Sequence, residues 1–115
     1  MEFDPDQINE LKAYYSNLSA VEEGGYKFIL IPQLPLPPGC IPQIVDGLLC
    51  PTLRDGYTSR LFLSAKITHK GKGQNWNPAS GVMIAGRTWW AVSWKTNKDD
   101  LRLLGMVTAH LQAFI

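Results

Sequence analysis

The run GRTWWAVSWK, Gly86–Lys95, follows GVMIA, Gly81–Ala85, and how these two stretches are read decides the fold. Both are β-rich, and they meet at Gly86 in a tight hairpin. Strand alternation places Thr88, Trp90, Val92 and Trp94 on one face and Arg87, Trp89, Ala91, Ser93 and Lys95 on the other. The first set is the more apolar, so Trp90 and Trp94 are expected to bury against helices. Trp89 shares the more polar face, and two readings stay open for it. It is either partly covered by the preceding loop and its Trp76, or free as an interface anchor.

The elements around the hairpin follow from shorter signals. Asp4 suits an N-cap, Pro5 the first helical position and Gln7 a capping-box-like reach, with Phe3 and Ile8 as a hydrophobic staple. Ile8, Leu11, Tyr15 and Leu18 then recur on one helical face, up to Gly24-Gly25. YKFILI, residues 26–31, reads as a strand. It is followed by PQLPLPPGC, residues 32–40, whose four prolines predict a stiff, extended connection near the surface. IVDGLLC (44–50) is a second strand, PTLRDGY (51–57) a turn-rich loop, and SRLFLSAKI (59–67) a half-buried strand with one wetter face.

THKGKGQNWNPAS, residues 68–80, is polar and aperiodic, a long loop of the kind that often carries function. A closing helix is expected after Asn97, with Asp99 and Asp100 near its positive end. Its stripe is Leu101, Leu104, Thr108, Leu111 and Ile115, widened by Val107 and Phe114. The order makes a single α+β domain: an N-terminal helix, an antiparallel meander with a final hairpin, and a C-terminal helix. One sheet face packs on the helices, and the other is expected to be open to a partner or solvent.

Composition narrows the function. With 115 residues, 45% apolar and 18% charged, the chain suffices for one packed domain. Eleven basic against ten acidic residues leave +1, which gives no electrostatic basis for a nucleic-acid or membrane-surface partner. Lys70 and Lys72 beside Trp76 do not alter that balance. The start MEFDPDQINELK lacks a basic region followed by an apolar one, and no apolar run approaches the ~20 residues of a membrane span. The expectation is a cytoplasmic protein with free thiols.

Cys40 and Cys50 with His69 and His110 match no zinc-ligand spacing, and no cofactor motif is present. Cys50 reads as a small buried hydrophobe at a strand end, with a reactive role left open; Cys40, after PPG, is expected to be more exposed. His69 lies in the polar loop, either solvated or acting as a base or donor. His110 is placed on the helix surface, and Arg54, Asp55 and Arg60 are read as surface charges.

The N-terminal helix, the meander, LPLPPG (34–39), CPTLRDGYTSRLFL (50–63) and the tryptophan hairpin leading to a helix together resemble the ubiquitin-conjugating enzyme superfamily. Within it, the chain is similar to a compact bacterial branch found beside ubiquitin-like proteins, activating enzymes and deubiquitinase-like metalloproteases. The resemblance spans nearly the whole chain and implies as partners a ubiquitin-like protein and a ubiquitin-activating-type enzyme. Such enzymes carry the ubiquitin-like C-terminus on a cysteine that follows a histidine–proline–asparagine flap.

Here that flap's place is taken by THKGKGQNWNP, with His69, Asn75, Asn77 and Pro78 but no contiguous tripeptide, and no cysteine follows it. The resemblance therefore implies either a non-catalytic homologue that binds a ubiquitin-like tail, or a displaced thiol, Cys50 before Cys40, with His69 assisting. Its partner-binding surface would comprise Pro37, Pro38, Cys40, Trp76 and Trp89. An alternative is a small interaction module, unrelated to ubiquitin, that forms a homodimer through the open sheet face.

Overall fold

In a computed structural model describing residues 3–96 and 101–115, the chain opens with α1 (Pro5–Lys12). There follow β1 (Ser19–Glu23), β2 (Tyr26–Pro35), β3 (Cys40–Ile41), β4 (Ile44–Cys50) and β5 (Arg60–Leu63). Next come β6 (Thr68–His69), β7 (Val82–Ile84), β8 (Arg87–Trp89) and α2 (Leu103–Leu111), ending in a 3-10 turn, Gln112–Phe114. β1, β2, β4 and β5 form one antiparallel sheet in that order, while β3–β6 and β7–β8 are separate two-stranded ladders. The α+β class is the expected one.

Asp4 caps α1 by accepting the Asp6 N–H at 2.8 Å, and Pro5 starts the helix. Gln7 does not reach back to the cap: its Oε1 accepts the Leu103 N–H at 2.9 Å and so serves the first turn of α2. The Asn97 cap expected there, with Asp99 and Asp100, lies outside the described residues. The first helix also stops sooner than its apolar pattern suggests. Tyr15 and Leu18 still pack on the same core, but from non-helical chain. Gly24-Gly25 turns the β1–β2 hairpin instead of ending a helix.

That hairpin belongs to a set. Gly24-Gly25, Asp55-Gly56, Lys70-Gly71 and Ala85-Gly86 each place two consecutive residues at positive φ, the pattern of the type I′ turn whose twist matches paired strands.

The proline-rich segment is not a free connection either. β2 continues through Pro32 to Pro35 by means of a bulge: Ile31 faces Gly47 and Leu34 faces Val45, so Pro32 and Gln33 together oppose Asp46. Gln33 sits at φ 52°, and its N–H donates to Asp46 Oδ1 at 3.0 Å. The missing proline donor thus falls where the ladder is already interrupted.

Over β2, β4 and β5 both faces of the sheet are buried, which overturns the expected open face, while the edge strand β1 stays largely exposed. Cross-strand rows explain how. Ile29, Leu49 and Leu61 align on the helix side with Ile8, Leu11, Leu103, Val107 and Phe114. Leu30, Leu48 and Phe62 align on the opposite side, where Ile84, Trp89 and Ala91 cover them. All four residues of β5 are buried, so its alternation marks two cores and not a dry and a wet face. The chain's own hairpin seals the sheet over β2, β4 and β5.

The tryptophans are accordingly exchanged relative to expectation. Trp89 is 2% exposed, while Trp90 is half-buried and Trp94 is 38% exposed. The cause is register. Trp90 exchanges backbone hydrogen bonds with Leu63 at 2.7 and 2.9 Å, extending the sheet beyond β5. A residue opposite Leu63 shares its face, so Trp89 and Ala91 fall on the Phe62 side. On α2 the buried positions are Leu103, Val107 and His110, with Phe114 beyond, whereas Thr108 and Ile115 of the expected stripe are exposed.

Candidate functional site

The residues singled out in the sequence separate into two places. The first is the β3–β6 ladder, where the proline loop meets the polar loop. PPGC, residues 37–40, forms a tight turn in which the Cys40 N–H donates to Pro37 O at 3.4 Å, with Pro38 and Gly39 central. Gly39 takes φ 95°, the third-position conformation of a type II turn that glycine adopts without strain. Space is tight there as well. A β-carbon there would stand 3.1 Å from Lys70 Cγ and 3.3 Å from the His69 ring.

Beyond that turn Cys40 faces His69, and Ile41 faces Thr68. Because the Lys70 N–H donates to Gly39 O at 2.9 Å, Cys40 and His69 form a non-hydrogen-bonded pair, the kind that brings facing side chains closest. His69 Nε2 is buried and has no hydrogen-bond partner. Lys70 and Gly71 then turn the chain, and His69 and Lys72 exchange backbone hydrogen bonds at 2.8 and 3.0 Å.

Cys40 is 4% exposed, contrary to the expectation for a loop thiol, because it closes the helix-side core. Burial pushes its pKa up, which favours the thiol over the nucleophilic thiolate. Cys50 lies on the other side of the sheet among Phe28, Leu48 and Phe62, fully buried, with its sulfur 3.6 Å from Thr52 O. The two cysteines are free and occupy different cores. Trp76 packs against the helix-side core and pairs with Val92. Pro37 is half-buried and Pro38 exposed. Trp89 is fixed in the other core by its N–H, which donates to Ile84 O at 3.2 Å.

The second place was not anticipated. The turn Arg54–Tyr57 brings Arg54, Asp55, Tyr57 and Arg60 together under residues 77 and 92–95. Arg60, read as a surface charge, is 2% exposed. Its guanidinium donates to Asp55 Oδ2 at 3.0 Å and to Asn77 O at 2.7 Å, and lies 4.4 Å from the Tyr57 ring centroid. A buried charge is tolerable when it is paired and bonded in this way. The Tyr57 hydroxyl is 2.9 Å from Ser93 Oγ and accepts from Asn77 Nδ2 at 3.1 Å. These two hydrogen bonds, aided by the charges of Arg60 and Lys95, hold the phenol below its ordinary pKa against the opposing effect of burial.

Behind Arg60, Ser59 Oγ lies 2.9 Å from His110 Nε2. His110 is therefore interior, not on the helix surface. The signal available in the sequence was RLFL, a run apolar at consecutive positions, which requires both faces covered and carries Arg60 in with it.

The arrangement offers no exposed nucleophile at either cysteine. It offers a built junction of two loops, rimmed by Pro38, Lys70 and Lys72, and a polar cluster behind the 54–57 turn. Among the described residues no group of three or more His, Cys, Asp or Glu is gathered for a metal ion, and no helix is long and apolar enough to cross a membrane. No family model, curated protein or solved structure matches the chain.

Proposed function

We propose that the chain is a conjugating-enzyme-like component of a bacterial ubiquitin-like modification system. In this reading it binds a ubiquitin-like protein and its activating-type enzyme without itself holding a thioester. The observation that supports the binding role over the catalytic one is the state of the thiols. Both are buried, and the one that faces a histidine has its pKa raised.

The order of helix, four-stranded antiparallel meander and closing helix is what the resemblance implies. The two loops that it nominates for partner contact are joined through β3 and β6. Trp89 and Cys40 drop out as contact residues because they are buried, which leaves Pro38, Lys70, Lys72 and the exposed Ile41 as the contact rim. The alternative of a dimer through an open sheet face draws less support, since β7 and β8 pack over that face at β2, β4 and β5.

The test is to mix the protein with the ubiquitin-like protein, the activating enzyme and ATP. Complex formation is followed by calorimetry, and adducts on gels with and without reductant. Binding without a thiol-labile adduct is the expected result, weakened by Lys70→Glu. An adduct lost in Cys40→Ser would establish a catalytic role instead, and the absence of any complex would overturn the proposal.

A further inference from the structure

Four arginines occur in the chain, and three have hydrogen-bonded acceptors. Arg60 holds Asp55 and Asn77 O, Arg87 donates to Asp46 Oδ2 at 3.1 Å, and Arg102 donates to Glu10 Oε1 at 2.9 Å. Arg54 is different. Its guanidinium lies 4.5 Å from the Tyr26 ring centroid and 5.7 and 5.5 Å from those of Phe28 and Phe62. The side chain is 16% exposed, and its Nε is sealed with no hydrogen-bond partner.

The nearest carboxylate, Asp55 Oδ2, stands 3.6 Å from that Nε, too far for a hydrogen bond, and the same oxygen is already held by Arg60 at 3.0 Å. Neither terminal nitrogen of Arg54 donates to any described residue, yet neither is sealed as Nε is. Among the described residues the two outer nitrogens thus have no acceptor, on a side chain that keeps 16% of its surface exposed. Two guanidinium groups share one carboxylate and Lys95 lies nearby, so among the described residues the cluster is net positive.

We propose that Arg54 is a recognition residue for a carboxylate side chain on an acidic peptide segment of a protein partner. The geometry meets the requirements of such a site. The planar fork matches a carboxylate with two parallel hydrogen bonds, and stacking on Tyr26 fixes the side chain before the partner arrives, so little rotamer freedom is lost on binding. The net positive charge suits an anion, and the neighbouring Asp55 carboxylate disfavours a dianion such as phosphate. Leu53, the preceding residue, is exposed and offers an apolar contact beside the charge. The favoured ligand is thus an acidic residue next to an apolar one. The inference does not depend on the conjugation reading.

The experiment follows the side-chain Nε–Hε resonance of Arg54 in 15N-labelled protein. The probes are the acetylated, amidated dipeptide Leu-Glu, its Leu-Gln counterpart, acetate and inorganic phosphate. Leu-Glu is expected to shift the Arg54 signal saturably, with affinity on the order of millimolar. Acetate should act in the same direction, and Leu-Gln should not. The Arg54→Lys variant keeps the charge but not the fork, and its backbone signals at Leu53 and Tyr57 should respond roughly tenfold more weakly to Leu-Glu. An equal response to Leu-Glu and Leu-Gln in the unaltered protein, no saturable response, or tighter binding of phosphate than of acetate would each overturn the proposal without reference to any variant.

Discussion

Ser59 Oγ and His110 Nε2 lie 2.9 Å apart in the interior, tying the start of β5 to the last turn of α2. Burial, and next the Arg60 charge, lower the His110 pKa from 6.5 to about 4, against the opposing pull of the Ser59 backbone carbonyl. The folded state therefore refuses a proton that the unfolded chain accepts. Above pH 6.5 both forms are neutral and the fold carries no penalty. As pH falls from 6.5 to 4 the unfolded chain is protonated first, and stability drops by about 3 kcal/mol before levelling off. Urea midpoints across that window measure the loss. The His110→Gln variant, which keeps a hydrogen-bonding group for Ser59 but does not titrate, should lose markedly less, and an equal slope in both proteins would refute the assignment.

Trp89 and Trp94 differ in what surrounds them. Trp89 fills the hairpin-side core with Phe28, Phe62 and Ile84, so Trp89→Ala should cost about 3–5 kcal/mol. Trp94 is partly exposed, and its N–H donates to Ala109 O at 3.0 Å, so Trp94→Ala should cost about 1 kcal/mol or less. Chemical denaturation ranks the two. Loss of a dimer on Trp89→Ala at unchanged stability would contradict the buried placement.

How much of this was legible in the sequence depends on the kind of signal. The cap at Asp4-Pro5, the hairpin at Gly86 and the α+β order rest on local chemistry, and these hold in the structure. What failed was the choice of face. Period-two alternation separates Trp89 from Trp90 but carries no information about which set points inward. That is set by the pairing of Trp90 with Leu63, 27 positions apart in the chain. His110 and Arg60 failed for the same reason: their partners Ser59 and Asn77 are distant in sequence, and an isolated polar residue gives no sign of being satisfied. YKFILI, GLLC and RLFL did hold a usable clue, since runs apolar at consecutive positions point to a sheet covered twice.

Gly81 and Gly86 flank one strand of the final hairpin at nearly the same φ, 81° and 79°. A β-carbon at Gly86 would meet nothing within 4 Å, whereas at Gly81 it would stand 2.7 Å from Thr88 Cγ2 and 2.9 Å from Trp89 O. Gly86→Ala therefore isolates the left-handed backbone cost, about 1–2 kcal/mol. Gly81→Ala adds a steric collision with backbone that cannot swing aside, and should exceed Gly86→Ala by at least about 1 kcal/mol. Comparable thermal shifts for the two variants would mean that the crowding at Gly81 is relieved by movement of β8.

Cys40 and Cys50 are both buried, yet opening exposes them at different cost. Cys40 sits in a ladder of two residue pairs beside a turn, whereas Cys50 lies at the end of β4 between β5 and the aromatic core. Local opening of residues 36–41 parts the β3–β6 contacts, the Leu36–Gln43 backbone bond and the packing of Leu36 and Cys40, whereas Cys50 becomes accessible when the main sheet separates. In native buffer an aromatic disulfide reagent should modify Cys40, read in Cys50→Ser protein, at least roughly tenfold faster than Cys50, read in Cys40→Ser protein. In denaturant the two rates should converge. Gly39→Ala, which pushes a β-carbon into Lys70 and the His69 ring, should accelerate Cys40 and leave Cys50 unchanged. If both cysteines accelerate together, the proline loop opens only with the whole fold, and Cys40 has no separate route to solvent.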